Sequence, residues 1–403
     1  AGDMPTPASA SPLVTTPSGS TPAAEESLRV AVIGSGPHAL SLLCRVVDDD
    51  ADLLDEAERT RVAAKAGSRA RSHAEVRKAL QRRFVDAAAH LAGVAVFDSG
   101  GEWMGQWRRD FSALEIEHCR SHSDLHPCPH DFQSLRVWAE KHKRELEMWH
   151  MAYLDRGAAR AAGFSGPYAL PGTRLFLDFC ASLVARYKLA PLVRKATVAA
   201  VEVIPPPPDA CAGAACSFRL RLADGTSVRA ARVVCAMGPG PMFAGMRANL
   251  PWWCEAAAGS LAAAGGCGGL PRLCHSSQLV RELLDAEGKA ALRGSRVLVV
   301  GGGQTAGHLC LVAVKNGATA VTLAARRPIV RKPFDVDLQV VGDRRGEALS
   351  SFWAAPPCDR PRLIGRLRGG GSMAGEVYAS LLRHAAARGD GELGGGEGGG
   401  GEG

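Results

Sequence analysis

Two hexapeptides carry the residue types and spacing that can cradle a phosphate. The first is Gly34-Ser35-Gly36-Pro37-His38-Ala39 and the second is Gly301-Gly302-Gly303-Gln304-Thr305-Ala306, both GxGxxA. In such a turn the first glycine (Gly34, Gly301) permits a tight bend and the second (Gly36, Gly303) lets a pyrophosphate approach the backbone. The alanine (Ala39, Ala306) lets helix and strand pack closely. Each motif is followed by an apolar strand that ends in charge. Residues 94–97 lead to Asp98, a carboxylate suited to the two hydroxyls of a ribose. Residues 320–323 lead to Ala324-Ala325-Arg326-Arg327, where a pair of guanidiniums would meet a 2′-phosphate. One acid-tipped unit and one arginine-tipped unit point to two different dinucleotides, FAD on the first and NADPH on the second.

The elements that must position these groups follow from hydrophobic pattern. Residues 29–33 form an apolar strand feeding the first glycine turn, and Leu40, Leu42, Leu43 and Val46 give the helix after it an apolar face. The same order of strand, glycine turn and helix recurs from residue 296. Asp98 stands much further from its glycines than the roughly 20 residues usual in this fold, so residues 49–90 must be an insertion in the crossover. That stretch begins in an acidic block, Asp48, Asp49, Asp50, Asp52, Asp55, Glu56 and Glu58, and runs into a basic one from Arg59 to Arg83. The alternation predicts a charged surface helix or a partly disordered segment. Thr173 can cap a helix whose apolar face is Phe176, Phe179, Cys180, Leu183, Val184 and Tyr187. A β-meander is expected over 198–204, 218–222 and 227–229, turned at Asp224-Gly225, before residues 233–236 enter Met237-Gly238-Pro239.

Composition narrows the classes. At 403 residues, 46% hydrophobic and 22% charged, the chain has room for two cores and is not one small domain. No run approaches the roughly 18 apolar residues of a membrane span. The formal charge of +7 is mild and implies no nucleic acid. The 12 cysteines include no CxxC, which counts against a disulfide reductase, since a redox dithiol needs two adjacent sulfurs. Several, Cys180, Cys235 and Cys310 among them, lie in apolar runs and are expected to be small buried hydrophobes in a reducing, cytoplasmic compartment, with organelle targeting left open. His118, Cys119, His122, Asp124, His126, Cys128 and His130 cluster in sequence, but Pro127 and Pro129 forbid the continuous helix that would align the imidazoles. They are expected to form a loop without a metal, followed by an amphipathic helix over 135–143.

A further set of segments resembles a known family. Asp98-Ser99-Gly100-Gly101-Glu102-Trp103 followed by Met104-Gly105-Gln106-Trp107-Arg108 is similar to the acidic residue and GGxW segment of flavin-containing monooxygenases, with Met104 in place of a glycine. Residues 233–239, VVCAMGP, resemble their ATG-type strand. Cys274-His275-Ser276-Ser277-Gln278 resembles the HSxxY stretch of the N-hydroxylating branch, the lysine and ornithine N-monooxygenases, and Lys332-Pro333-Phe334-Asp335-Val336-Asp337 resembles its KP-containing loop. The likeness covers about residues 28–345.

The resemblance implies an α/β fold with two Rossmann-like dinucleotide-binding domains, an FAD domain with an inserted β-meander and an NADPH domain. It implies an FAD domain over 28–240 with the charged insertion 49–90, a junction over 241–294, an NADPH domain over 295–365 and a partial return to the FAD domain over 366–388, while composition alone predicts a disordered tail over 1–27 and a disordered Gly-rich tail over 389–403. Nothing after Leu363 has the closing strand and turn of such enzymes, so a shortened ending is expected, with one helix over 376–388. The implied activity uses NADPH to reduce FAD and transfers oxygen from a flavin C4a-hydroperoxide to a nucleophilic nitrogen of a small amine-type substrate, with O₂ as co-substrate. Cofactor contacts are expected at Gly34, Gly36, Ala39, Asp98, Gln106, Trp107 and Gly238 for the flavin. His275 and Ser276 are expected at the domain junction, and Gly301, Gly303, Gln304, Ala306, Arg326 and Arg327 at NADPH. Trp103 and Trp107 suit plain core packing equally well. A silent dinucleotide-binding protein that kept part of the fold stays open as an alternative.

Overall fold

In the computed structural model the described residues are 25–48, 87–151, 154–206, 216–238, 273–280, 285–342 and 345–387. Most of the charged insertion, residues 49–86, lies outside them. The first unit is built on a parallel sheet of β2 (Val30–Ile33), β3 (Val94–Asp98), β4 (Val193–Lys195) and β8 (Val233–Cys235), in the order β8-β2-β3-β4. Ile33 pairs with Phe97 and Asp98 with Lys195, so the strands end together at the edge where the first glycine turn leaves β2.

Alternation along these strands feeds two cores. Ala31, Ile33, Ala95 and Phe97 face a second sheet, in which β1 (Ser27–Leu28) joins a meander of β5 (Val198–Ile204), β6 (Ser217–Leu222) and β7 (Ser227–Ala230). Val32 and Val96 face the helices α1 (Pro37–Val47), α3 (Ser134–Lys141) and α4 (Thr173–Arg186). A parallel sheet needs both faces covered, and here one face takes helices and the other takes the meander.

The second unit is smaller. Its sheet holds β9 (Arg296–Val300) and β10 (Ala320–Ala324), parallel and in register, with α6 (Gln304–Lys315) between them in sequence. Val297 and Val299 face the apolar cluster that contains Leu309 and Val312 of α6. Leu298 and Val300 point the other way and are 64% and 57% exposed. The architecture is α/β with parallel sheets, as the sequence predicts.

Two expectations need correction, at Thr173 and Cys235, and two sets of contacts bear on how the chain is organised. Glu25 pairs with Arg219 and Arg229 and Glu26 with Arg194, which fastens the residues just before 28 to the meander and to β4. Gly172, with extended backbone, is the N-cap of α4, and the Thr173 hydroxyl instead donates to the Ile116 carbonyl at 2.6 Å. Cys235 is exposed, as are Cys216 and Cys358, whereas Cys44, Cys119, Cys128, Cys180 and Cys310 are buried. β8 lies at the edge of its sheet, which leaves one side of Cys235 open. Residues 372–387 touch both units, and Arg120 of the first donates to the Ser372 carbonyl at 2.9 Å and to its Oγ at 2.8 Å. The strand β12 (Ser372–Met373) pairs with β11 (Val330–Arg331), and α7 (Gly375–Ala387) packs on α6. Gly307 of α6 permits this close approach, since a Cβ there would stand under 3 Å from the Met373 and Val377 side chains.

Candidate functional site

The first glycine turn is held from three sides. Gly34 N–H donates to the Phe97 carbonyl at 2.8 Å, Ser35 Oγ donates to the Glu102 carbonyl at 2.7 Å, and Met104 N–H donates to the Ser35 carbonyl at 3.0 Å. Ala39 is fully buried, which brings α1 close to the sheet. Gly36 is the N-cap of α1 and no side chain caps the helix, so the N–H groups of its first turn have no side-chain acceptor there. A Cβ built at Gly36 would meet nothing within 4 Å. Open space in front of an uncapped helix N-terminus suits an anion.

Asp98 sits beside this turn at the end of β3. Its Oδ1 accepts from the N–H groups of Gly100 at 2.8 Å and Gly101 at 3.2 Å, shaping the bend into Glu102 and Trp103. The carboxylate therefore builds the turn that follows β3. Gly238 lies two residues past Ala236, whose carbonyl abuts Gly34.

The helix α2 (Gly105–Ala113) carries Gln106 and Trp107. Gln106 Nε2 reaches Asp110 Oδ2 at 3.4 Å. Trp107 stacks on Phe111 with centroids 3.6 Å apart and lies 5.5 Å from Phe176. Its ring is partly buried and packs against the first core. Trp103 likewise packs on the first core, and its Nε1 donates to the Leu189 carbonyl at 3.1 Å.

The second cradle repeats the geometry. Gly303 is the N-cap of α6, again without a side-chain cap, and Ala306 is buried. Gly301 N–H donates to the Ala324 carbonyl at 2.8 Å. Arg326 and Arg327 follow β10 and are exposed. Gln304, the first residue of α6, also serves the fold. Its Oε1 accepts from Ala374 N–H at 2.8 Å and its Nε2 faces His308 Nε2 at 3.0 Å, so both ends of the amide bind protein. The side chain fastens the last segment to α6.

His275 Nδ1 accepts from Ser277 N–H at 3.1 Å and starts a short turn with Ser276. Leu279 and Val280, just beyond, enter the cluster that joins the two units. The histidine-rich loop is spent on its neighbours. His122 Nε2 lies 2.7 Å from the Pro167 carbonyl, His126 Nε2 3.0 Å from the Phe132 carbonyl, and His130 Nε2 2.7 Å from Asp48 Oδ2.

Two features escape a reading of the sequence. Asp48 looks like the start of a surface acidic block but is fully buried, and the Tyr187 hydroxyl donates to its Oδ2 at 2.7 Å. Burial opposes its charge, yet the hydrogen bonds from His130 and Tyr187 hold its pKa below the usual carboxylate value. The second feature is Glu115, which binds Lys289 and Lys315 across the units. Neither had a local signal, because each partner lies far away in sequence. Burial pushes the thiols of Cys44, Cys119 and Cys180 well above their ordinary range, which keeps them protonated and unreactive.

A cavity of about 830 Å³ opens between α2 and α4, with Trp103, Phe111, Arg174, Leu177 and Lys315 in its wall. Neither glycine turn lines it, so the dinucleotide cradles are defined by their backbone geometry and not by this cavity. Among the described residues no helix is long and apolar enough to cross a membrane.

No family model matches the chain, and no curated protein matches it by sequence. Among solved structures the chain is similar to the reduced form of an ornithine hydroxylase from Pseudomonas aeruginosa, at 15% identity over 90% of this chain and 70% of that one, with a TM-score of 0.49. An ornithine N-hydroxylase from Kutzneria sp. 744, solved with reduced FAD, NADP⁺ and L-ornithine, matches at 15% identity over 90% and 69%, with a TM-score of 0.48. The FAD-bound cadaverine monooxygenase of desferrioxamine biosynthesis from Erwinia amylovora matches at 14% over 90% and 66%, with a TM-score of 0.45.

Proposed function

We propose that this chain is an FAD- and NADPH-dependent monooxygenase that transfers oxygen from O₂ to a nucleophilic nitrogen of a small amine-type substrate. One observation carries it. A single chain holds two strand-turn-helix cradles with opposite charge at their tips, Asp98 beside the first and Arg326 with Arg327 beside the second. The ordered segments around Trp103, Gly238, His275 and Lys332, which resemble the N-hydroxylating monooxygenases, support the same assignment.

The residues fit the two dinucleotides. The uncapped N-terminus of α1, with open space at Gly36, would hold the FAD pyrophosphate, and the second oxygen of Asp98 would take ribose hydroxyls. The uncapped N-terminus of α6 would hold the NADPH pyrophosphate, with Arg326 and Arg327 on its 2′-phosphate. Gln106, Trp107 and Gly238 are the candidates beside the flavin, and His275 and Ser276 at the junction. When bound, FAD supplies electron transfer and oxygen activation and NADPH supplies the hydride. The chain's own tasks are to bind both at a fixed separation, orient them and keep bulk water away.

Purified protein should release FAD on denaturation and consume O₂ with NADPH when offered an amine from a panel of aliphatic diamines and basic amino acids, with a hydroxylamine as product. Colourless protein that binds neither nucleotide sinks the proposal. A second reading, a dinucleotide-binding protein without turnover, is favoured by the commitment of the Gln304 amide and the Trp107 ring to packing. It predicts nucleotide binding with no NADPH oxidation.

A further inference from the structure

The helix α2 starts beside the first cradle, where Met104 N–H meets the Ser35 carbonyl, and the few residues just beyond it pack against the second unit. Leu114 and Ile116 pack with Val280, Leu292, Leu309 and Val312. Between them Glu115 adopts left-handed backbone at φ 51°, a conformation that glutamate rarely takes. Its two carboxylate oxygens have separate partners. Oε1 binds Lys289 Nζ at 2.9 Å on α5 (Ala286–Ala291), and Oε2 binds Lys315 Nζ at 2.5 Å at the last residue of α6. The Glu115 side chain is 28% exposed. Since α6 begins at the second glycine turn, its far end is joined through one carboxylate to the segment that follows α2, whose own start touches the first glycine turn.

We propose that Glu115 is a positioning residue that locks the rotation of the second unit on the first and so sets how the two cradles face each other. This rests on the function proposed above. Apolar contact around Leu114 holds two faces together but is non-directional. It leaves rotation about the contact weakly specified. A carboxylate shared between lysines of two different helices fixes that rotation, because turning the second unit either way breaks at least one charged hydrogen bond. Rigid-body rotation about such an interface is a common mode of domain motion. Hydride transfer between two bound dinucleotides is sensitive to it, since a misplacement of about 1 Å can cost about a hundredfold in rate. The left-handed backbone at Glu115 fits this role, as strained conformations persist where their surroundings over-determine them.

The test compares the flavin-loaded wild-type chain with Glu115→Lys, Glu115→Gln and the charge-reversed Glu115→Lys/Lys289→Glu/Lys315→Glu chain. Anaerobic stopped-flow measures flavin reduction by NADPH, and photochemical reduction of the same flavin serves as the reference that needs no NADPH geometry. Glu115→Lys is expected to slow NADPH-driven reduction about tenfold or more, with flavin content and photochemical reduction unchanged, and the reversed chain to recover most of the rate. An unchanged rate overturns the proposal, as does a loss that tracks flavin content and is not recovered on reversal. Should Glu115→Lys not fold, the near-isosteric Glu115→Gln gives the same comparison. Should the wild-type chain hold no flavin, the proposed function fails, and small-angle scattering of the nucleotide-free protein then decides on Glu115 alone. A larger radius of gyration for Glu115→Gln than for wild type supports the lock, and identical scattering overturns it.

Discussion

Gly34 lies so close to Ala236 that a Cβ on the glycine would stand 2.6 Å from the Ala236 carbonyl oxygen, and its backbone has φ +97°. The turn is pressed against the end of β8, whose register with β2 leaves no slack. Two residues on, Gly36 has an ordinary φ of −78° and open space where a side chain would go. The two glycines of one motif thus serve different ends. The first is required by the fold, whereas the fold places no steric demand on the second.

Gly34→Ala is expected to destabilise the protein by more than about 3 kcal/mol, because backbone strain and a backbone clash add. Gly36→Ala should cost less than about 1 kcal/mol yet weaken FAD binding at least tenfold, since a methyl group takes the space of the approaching pyrophosphate. Urea unfolding of the cofactor-free chain and titration with FAD separate the two effects. A Gly36→Ala chain that keeps full FAD affinity would place the pyrophosphate elsewhere.

What could be read from the sequence was local. Six residues suffice to specify a glycine turn between strand and helix, and the spacing of Phe176, Phe179, Cys180 and Leu183 suffices for the buried face of α4. The Asp224-Gly225 turn likewise marks the hairpin of β6 and β7. The rest depended on partners distant in the chain. Asp48 is buried because His130 and Tyr187 meet it, while its neighbours in sequence suggest a charged surface. Docking of residues 372–387 on α6 is permitted by one glycine inside a helix, Gly307, which by pattern alone looks like a minor blemish. At Thr173 the residue type favours a cap, but capping needs extended backbone, and that falls at Gly172.

Replacement of Arg326 and Arg327 by alanine should discriminate between the nicotinamide nucleotides. Both guanidiniums are exposed, so the folded state should lose less than about 0.5 kcal/mol. Charge-assisted hydrogen bonds to a phosphate are worth about 1.5–3 kcal/mol, and NADPH affinity should fall at least tenfold while that for NADH stays the same. Equal loss for both nucleotides in a binding titration would contradict the phosphate assignment.

Met104 is buried and holds left-handed backbone at φ 60°, just before α2. Two opposing terms act there. Removing the side chain forfeits apolar burial, at about 2–5 kcal/mol for methionine to alanine, while glycine relieves about 1–2 kcal/mol of left-handed strain that alanine keeps. Stability should therefore rank wild type above Met104→Gly and Met104→Gly above Met104→Ala, against the usual order for the two small residues. Midpoints of urea unfolding for the three chains check this, and an alanine variant more stable than the glycine variant would show that the strain is not real.

The histidines should make the protein sensitive to mild acid. Burial pushes His126 and His308 down to about 4 from an ordinary value of 6.5. The hydrogen bonds agree with neutral rings. Cys128 N–H points at His126 Nδ1 at 3.2 Å, leaving Nε2 to donate to the Phe132 carbonyl, and the Gln304 amide nitrogen points at His308 Nε2. A second proton on either ring would face an existing donor. Because the folded-state pKa lies below that of the unfolded chain, the unfolded chain takes up protons first as pH falls. Stability is then full above pH 6.5 and is lost between there and about pH 4, by up to about 3 kcal/mol for each of the two rings. Protonation of His308 would also expel the Gln304 amide and loosen its hold on Ala374. His308→Gln removes one titrating group, so the slope of unfolding free energy against pH in this window should become shallower by up to half. Urea titrations in steps from pH 8 to pH 4 read that slope directly, and an identical slope in the variant would mean that His308 is not held neutral by the fold.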